Sequence, residues 1–136
     1  MDANTFQQSL QAAFPGLLGI EFIEVTPERV VASMLARPNL SNNADILHGG
    51  AMMAFADTLG AVATIMNLPK GARTTTIESK TNFLGAIATG ARVIGECTPF
   101  HRGRTTMVWQ TLLKSETGKL CAVVTQTQMV LLPERT

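Results

Sequence analysis

The chain has 136 residues, enough for one hydrophobic core, and a single domain spanning 1–136 is expected. Hydrophobic residues make up 46% of it and Asp, Glu, Lys and Arg only 15%, which excludes a disordered chain and falls short of the roughly 25% charged residues of an ordinary soluble domain. The net charge is +1 with no runs of like sign, so a nucleic-acid partner is excluded, while the charge-poor composition predicts that part of the surface is covered by a second copy of the chain.

Phe6, Leu10, Ala13 and Phe14 follow a capping-type Asn4-Thr5 at helical spacing, and Pro15-Gly16 stops them. The prediction is a short accessory helix within 1–16. Beyond it the pattern turns β-type over Gly19 to Thr26, pauses at Pro27-Glu28, and resumes over Arg29 to Arg37. Pro38 to Asp45 is a turn-rich loop. Gly49 to Met66 then has almost no polar face, and Asn67 to Gly71 ends it. Four β-type runs follow at 72–84, 91–100, 104–114 and 120–132, the last two joined by a hairpin turn at Ser115-Glu116-Thr117-Gly118. The predicted class is α+β, an antiparallel sheet of about six strands wrapped around one long helix.

No basic region precedes Arg29 and no long apolar run follows the amino end, so no export signal is read. The apolar stretch 49–66 carries Asp57 near its middle, which argues against a membrane span. Cys97 and Cys121 form neither a zinc set nor a disulfide framework, and both are expected to be buried thiols of a cytoplasmic protein that binds no metal. Gly-x-Ser-x-Gly is absent, which leaves a serine-hydrolase triad without an anchor.

Asp57 is the only charged side chain between His48 and Lys70. Burying an unpaired carboxylate is costly, so one kept in an apolar helix needs a partner or a use. At the start of that helix His48-Gly49-Gly50 leaves backbone amides open, and the helix dipole draws an oxyanion to them. Eight residues at 1.5 Å rise separate Gly49 from Asp57 by about 12 Å, too far for both to act on one carbonyl carbon. Two such helices packed antiparallel about a two-fold axis would bring each Gly49 to the partner's Asp57, giving two shared sites per dimer.

Asn42, His48-Gly49-Gly50 and Asp57, followed by Thr76-Ile77-Glu78 and Asn82-Phe83-Leu84, resemble the hotdog-fold acyl-CoA thioesterases, in the subgroup that includes phenylacetyl-CoA and hydroxybenzoyl-CoA thioesterases. The resemblance covers about residues 17–133. The run from Cys97 to Gln110 is most similar to members acting on aryl and enterobactin-precursor thioesters. It implies a hotdog fold and hydrolysis of an aryl or medium-chain acyl-CoA to free acid and coenzyme A. It further implies a homo-oligomer, either a dimer or a dimer of dimers, with no cofactor beyond the coenzyme A of the substrate.

By the same resemblance, the Gly49 amide polarises the carbonyl and Asp57 serves as nucleophile or general base, in a place where some relatives have Glu. His48 and Asn42 orient carbonyl or water, Thr76, or else Thr75, positions water, and Phe83 lines the acyl pocket. Arg102, Gly103 and Arg104 occupy a turn where relatives often hold coenzyme A phosphates, a role that suits guanidinium geometry. A hydratase or dehydratase of the same fold and a non-catalytic acyl-CoA sensor are the alternatives. The first is disfavoured because the only nearby His abuts the helix glycines, and the second because the carboxylate is kept.

Overall fold

The computed structural model describes residues 1–134. Two short helices open the chain, α1 (Ala3–Ser9) and α2 (Phe14–Leu18). Strands β1 (Glu21–Val25) and β2 (Val30–Leu35) follow, then a 3-10 turn at Pro38–Leu40. The long helix α3 (Gly49–Ile65) precedes β3 (Arg73–Phe83), β4 (Arg92–Arg102), β5 (Thr106–Ser115) and β6 (Leu120–Leu131). All pairings are antiparallel, and the six strands form one sheet in the order β1-β2-β4-β5-β6-β3. This is the α+β hotdog architecture expected, a sheet curled over one central helix. Gly118, at φ +88°, makes the predicted β5–β6 turn in a backbone region that a side chain would oppose.

The amino-terminal segment departs from the single helix expected within 1–16. Asp2, not Asn4-Thr5, caps α1 by accepting from the Thr5 amide, and the helix ends at Ser9. Pro15 does not stop a helix; it lies in the first turn of a second one, where its missing N–H costs nothing.

One face of the sheet carries the core. Inward positions alternate along β5 as Met107, Trp109, Thr111 and Leu113, and they meet Phe55, Leu59 and Val62 of α3. The buried Trp109 indole donates to Thr64 Oγ1 at 2.9 Å, so its one polar atom is satisfied. Gly95 lets the helix seat closely, since a Cβ there would lie 2.8 Å from the Leu59 side chain and 2.9 Å from that of Phe55.

Within one chain the sheet buries only half of α3, although the helix has almost no polar face. Residues at helical spacing on the other side, among them Met53, Ala54, Asp57, Ala61 and Ile65, are partly or well exposed. The two sheet edges also differ. The outer edge of β1 is covered by α1, whose Gln7 side chain donates to the Ile20 carbonyl and accepts from the Phe22 amide. Among the described residues β3 pairs only with β6, and Ile77 and Phe83 on it and Leu84 just beyond it are more than half exposed. Among the described helices, none is long and apolar enough to cross a membrane.

Gly95→Ala is expected to cost about 1–3 kcal/mol, the usual penalty of overpacking, and to lower the urea midpoint accordingly. An unchanged midpoint would contradict the close seating of α3 on β4.

Candidate active site

His48 is the N-cap of α3. Its Nδ1 accepts from the Gly50 amide at 2.8 Å, which requires that nitrogen to be unprotonated and leaves Nε2 as the N–H of the neutral ring. Of the two glycine amides expected to stand open, the Gly50 amide is therefore spent on the cap. The Gly49 amide has no hydrogen-bond partner among the described residues, and it points from the positive end of a 17-residue helix.

Two cavities flank this helix end. One, of about 320 Å³, is lined by Asn42, Gly49, Met52 and Phe83 with mostly apolar neighbours, within the size range of small-molecule sites. The Phe83 ring packs so close to Gly49 that a Cβ there would sit 3.1 Å from it. Asn42 Oδ1 accepts from the Ala44 amide at 2.8 Å, so its NH2 is the end free to donate. The other cavity, of about 270 Å³, lies against His48, Gly50, Phe14 and Leu18.

Asp57 sits two turns further along α3, half-buried. Thr76 Oγ1 donates to its Oδ1 at 2.6 Å, and Gln126 Nε2 approaches the same oxygen at 3.3 Å. No described residue makes a hydrogen bond to Oδ2. Of the two threonines named as candidates, Thr76 makes this bond, whereas the neighbouring Thr75 faces outward and is exposed. A β-bulge follows at Ile77, where the register with β6 slips between Thr76 and Glu78.

Sequence reasoning missed Gln126 and Gln128. Both lie fully buried on β6, on the inward face with Ala122, Val124 and Val130. Gln128 stands directly across from Thr76, and its Nε2 donates to Thr76 Oγ1 at 2.5 Å while its Oε1 accepts from Thr74 Oγ1 at 2.9 Å. The Gln126 amide lies flat on Gly60 of α3, where any Cβ would collide with it. Glycine in mid-helix costs roughly 0.5–1 kcal/mol relative to alanine, and this contact accounts for it. The signal was present in the sequence. Once 120–132 reads as a strand with Val124 and Val130 inward, period two also puts Gln126 and Gln128 inside.

The basic turn is a separate group. Arg102 Nη1 lies 3.3 Å from the Pro27 carbonyl and 3.4 Å from Asn67 Oδ1, with a Glu28 oxygen at 4.0 Å. This is beside the carboxyl end of α3, away from Gly49. Arg104 is exposed and has no side-chain partner among the described residues. Gly103 is explained by the turn itself: its amide donates to the Thr106 carbonyl at 2.9 Å, and a Cβ would meet that carbonyl and His101. One chain thus gathers Gly49, His48, Asn42 and Phe83 at one end of α3, Asp57 and Thr76 in the middle, and the arginines at the other end.

Neither thiol is part of these groups. Both cysteines are buried, and burial pushes Cys97 up to about 12, which keeps it neutral and unreactive. Among the described residues no three His, Cys, Asp or Glu side chains cluster as metal ligands.

A family model of the thioesterase superfamily matches residues 44–122. The chain is 30% identical over 106 residues to the 1,4-dihydroxy-2-naphthoyl-CoA hydrolase of Escherichia coli, covering 78% of this chain and 77% of that one. It is 31% identical over 104 residues to the proofreading thioesterase EntH of Cronobacter turicensis, covering 76% and 75% respectively. Among solved structures, a thioesterase from Haemophilus influenzae superposes with a TM-score of 0.92 at 27% identity, covering 100% of this chain and 96% of that one.

His48→Ala is expected to cost about 0.5–2 kcal/mol of stability, the usual loss on removing a cap, and His48→Asn should restore most of it by supplying a capping oxygen. Thermal melts of the three proteins check this. Equal melting of His48→Ala and the parent would contradict the capping role.

Proposed function

The chain belongs to the thioesterase superfamily, and from that premise we propose that it hydrolyses an aryl or medium-chain acyl-CoA in a homodimer whose two sites each join Gly49 of one subunit with Asp57 of the other. The observation that carries this reading is the separation within one chain. The unspent Gly49 amide and the Asp57 carboxylate lie eight residues apart on one helix, about 12 Å along its axis, so they serve one carbonyl only if it binds between two copies.

Three features of the surface support the dimer. The β3 edge is bare, its N–H and C=O groups ready to pair with another strand. Ile77, Phe83 and Leu84 lie exposed along it. The uncovered side of α3 is apolar apart from Asp57 and Thr58. A β3–β3 pairing about a two-fold axis covers all three at once and lays the helices side by side. Pairing of two such dimers into a tetramer remains part of the proposal.

The chemistry follows from the groups in place. The thioester carbonyl oxygen accepts from the Gly49 amide, which holds the negative charge as the carbon becomes tetrahedral. Asp57 of the partner subunit either takes a proton from water as the water oxygen bonds to that carbon, or bonds to it directly as an anhydride that water then opens. In the first route the C–S bond breaks as the proton taken up by Asp57 passes to sulfur; in the second the sulfur leaves as the thiolate of coenzyme A and gains its proton from the water that opens the anhydride. Thr76 holds Asp57 and approaches the same water. His48, through Nε2–H, and the Asn42 amide orient the carbonyl.

An aryl group is supported by the apolar cavity beside Phe83 and by the name of the Escherichia coli relative, whose substrate is a naphthoyl thioester. Arg102 and Arg104 are exposed and lightly engaged, free to meet the coenzyme A phosphates. We propose no metal and no cofactor, and a cytoplasmic setting in keeping with two free thiols.

Thiol release from a panel of acyl-CoA thioesters tests the reading. Asp57→Asn should lower kcat by about 10² to 10⁴-fold with the fold and assembly intact. The Arg102→Ala/Arg104→Ala pair should raise KM with little change in kcat. Turnover within tenfold of the parent in Asp57→Asn would overturn the assignment, and unchanged KM in the double variant would remove the arginines from it.

A further inference from the structure

We propose that Gln126 and Gln128 are positioning residues that fix the Asp57 carboxylate so that its Oδ2 is the oxygen that reacts, a reading that rests on the role given to Asp57 above. A buried amide is expensive unless its polar atoms are satisfied, and β6 places two of them, fully buried, where an apolar row otherwise runs. Their hydrogen bonds converge on one group.

The direction of those bonds is determined by chemistry. A carboxylate only accepts, so the Thr76 hydroxyl must spend its single hydrogen on Asp57 Oδ1. Thr76 Oγ1 can then only accept from Gln128, which obliges that side chain to present Nε2 to it and Oε1 to Thr74. Gln126 is oriented by the same argument, since its Oε1 facing the carboxylate would be repulsive. Its Nε2 spans Asp57 Oδ1 at 3.3 Å and the Asp57 carbonyl at 3.4 Å. Thr76 and Gln126 thus donate to Oδ1 directly, and Gln128 acts on it through Thr76.

Two further observations fit positioning better than generic packing. Gln126 Oε1 is buried without a partner among the described residues, so the side chain is not there for full hydrogen-bond satisfaction. Gly60 is the one residue of α3 whose missing side chain makes room for the Gln126 amide.

The test measures kcat and KM for an acyl-CoA that the parent cleaves. Gln128→Leu, Gln126→Leu and Gly60→Ala are compared with Asp57→Asn, each protein first checked for its melting temperature and assembly state. Gly60→Ala expels the Gln126 amide without altering a donor or the carboxylate. Misplacing a reacting group by about 1 Å can cost 10²-fold, so roughly a 10- to 100-fold fall in kcat with KM within twofold is expected. In the Asp57→Asn background the same substitutions should have almost no further effect, because the group they position is gone. Should Gln128→Leu misfold, the near-isosteric Gln128→Glu, which cannot donate to Thr76 when ionised, takes its place with the same expectation.

If Asp57→Asn is inactive but the folded variants keep kcat within threefold of the parent, the positioning role is wrong and the assignment of Asp57 stands. Equal losses in the parent and Asp57→Asn backgrounds would equally overturn it. An active Asp57→Asn would overturn both.

Discussion

A helix of 17 residues with almost no polar face has to be covered, and one six-stranded sheet covers only half of it. The buried half sets the fold. Phe55, Leu59 and Val62 seat on the inward rows of the sheet, and Gly95 allows the close approach that dispersion and burial reward. The uncovered half is apolar, carries Asp57, and runs beside the β3 edge, which no described residue covers, and on these features the proposed second copy rests. The other edge is closed by Gln7 within the chain.

The second constraint is electrostatic. A carboxylate in this setting needs donors, and they come from outside the helix that carries it: Thr76 on β3 and Gln126 on β6, with Gln128 behind Thr76. The long-range pairing of β3 with β6 therefore prepares the site, since the Thr76–Gln128 register places a donor behind a donor. The bulge at Ile77 follows directly on Thr76. At the helix amino end the same economy applies to amides: His48 takes one for the cap and leaves one.

The larger elements were legible because each has a strong period. Gly49 to Met66 reads as a helix from its length and lack of polarity, and the four later strands from their alternation, all within two residues of the observed ends. Asp57 and the glycines stood out because they break an apolar pattern. What the sequence hid depends on register. Nothing local distinguishes Thr76 from Thr75 as the partner of Asp57, since the choice follows from which one faces α3. Gln126 and Gln128 carry no local mark of burial, because their outward neighbours Thr125 and Thr127 are polar too. The amino-terminal helices are hidden for another reason: a proline after an apolar run reads as a stop, yet it serves equally well in the first turn of a new helix, as Pro15 does in α2.

The central claim is that each site is shared between two chains, and complementation in trans tests it most directly. Asp57→Asn and a bulky variant, Gly49→Val, each form homodimers in which every site lacks one essential group. Dissociated, mixed and reassociated, they form heterodimers with one site that has both the free Gly49 amide and the Asp57 carboxylate. The account predicts that purified heterodimers regain about half the parental turnover, one working site of two. Verified heterodimers that remain as inactive as either homodimer would contradict it.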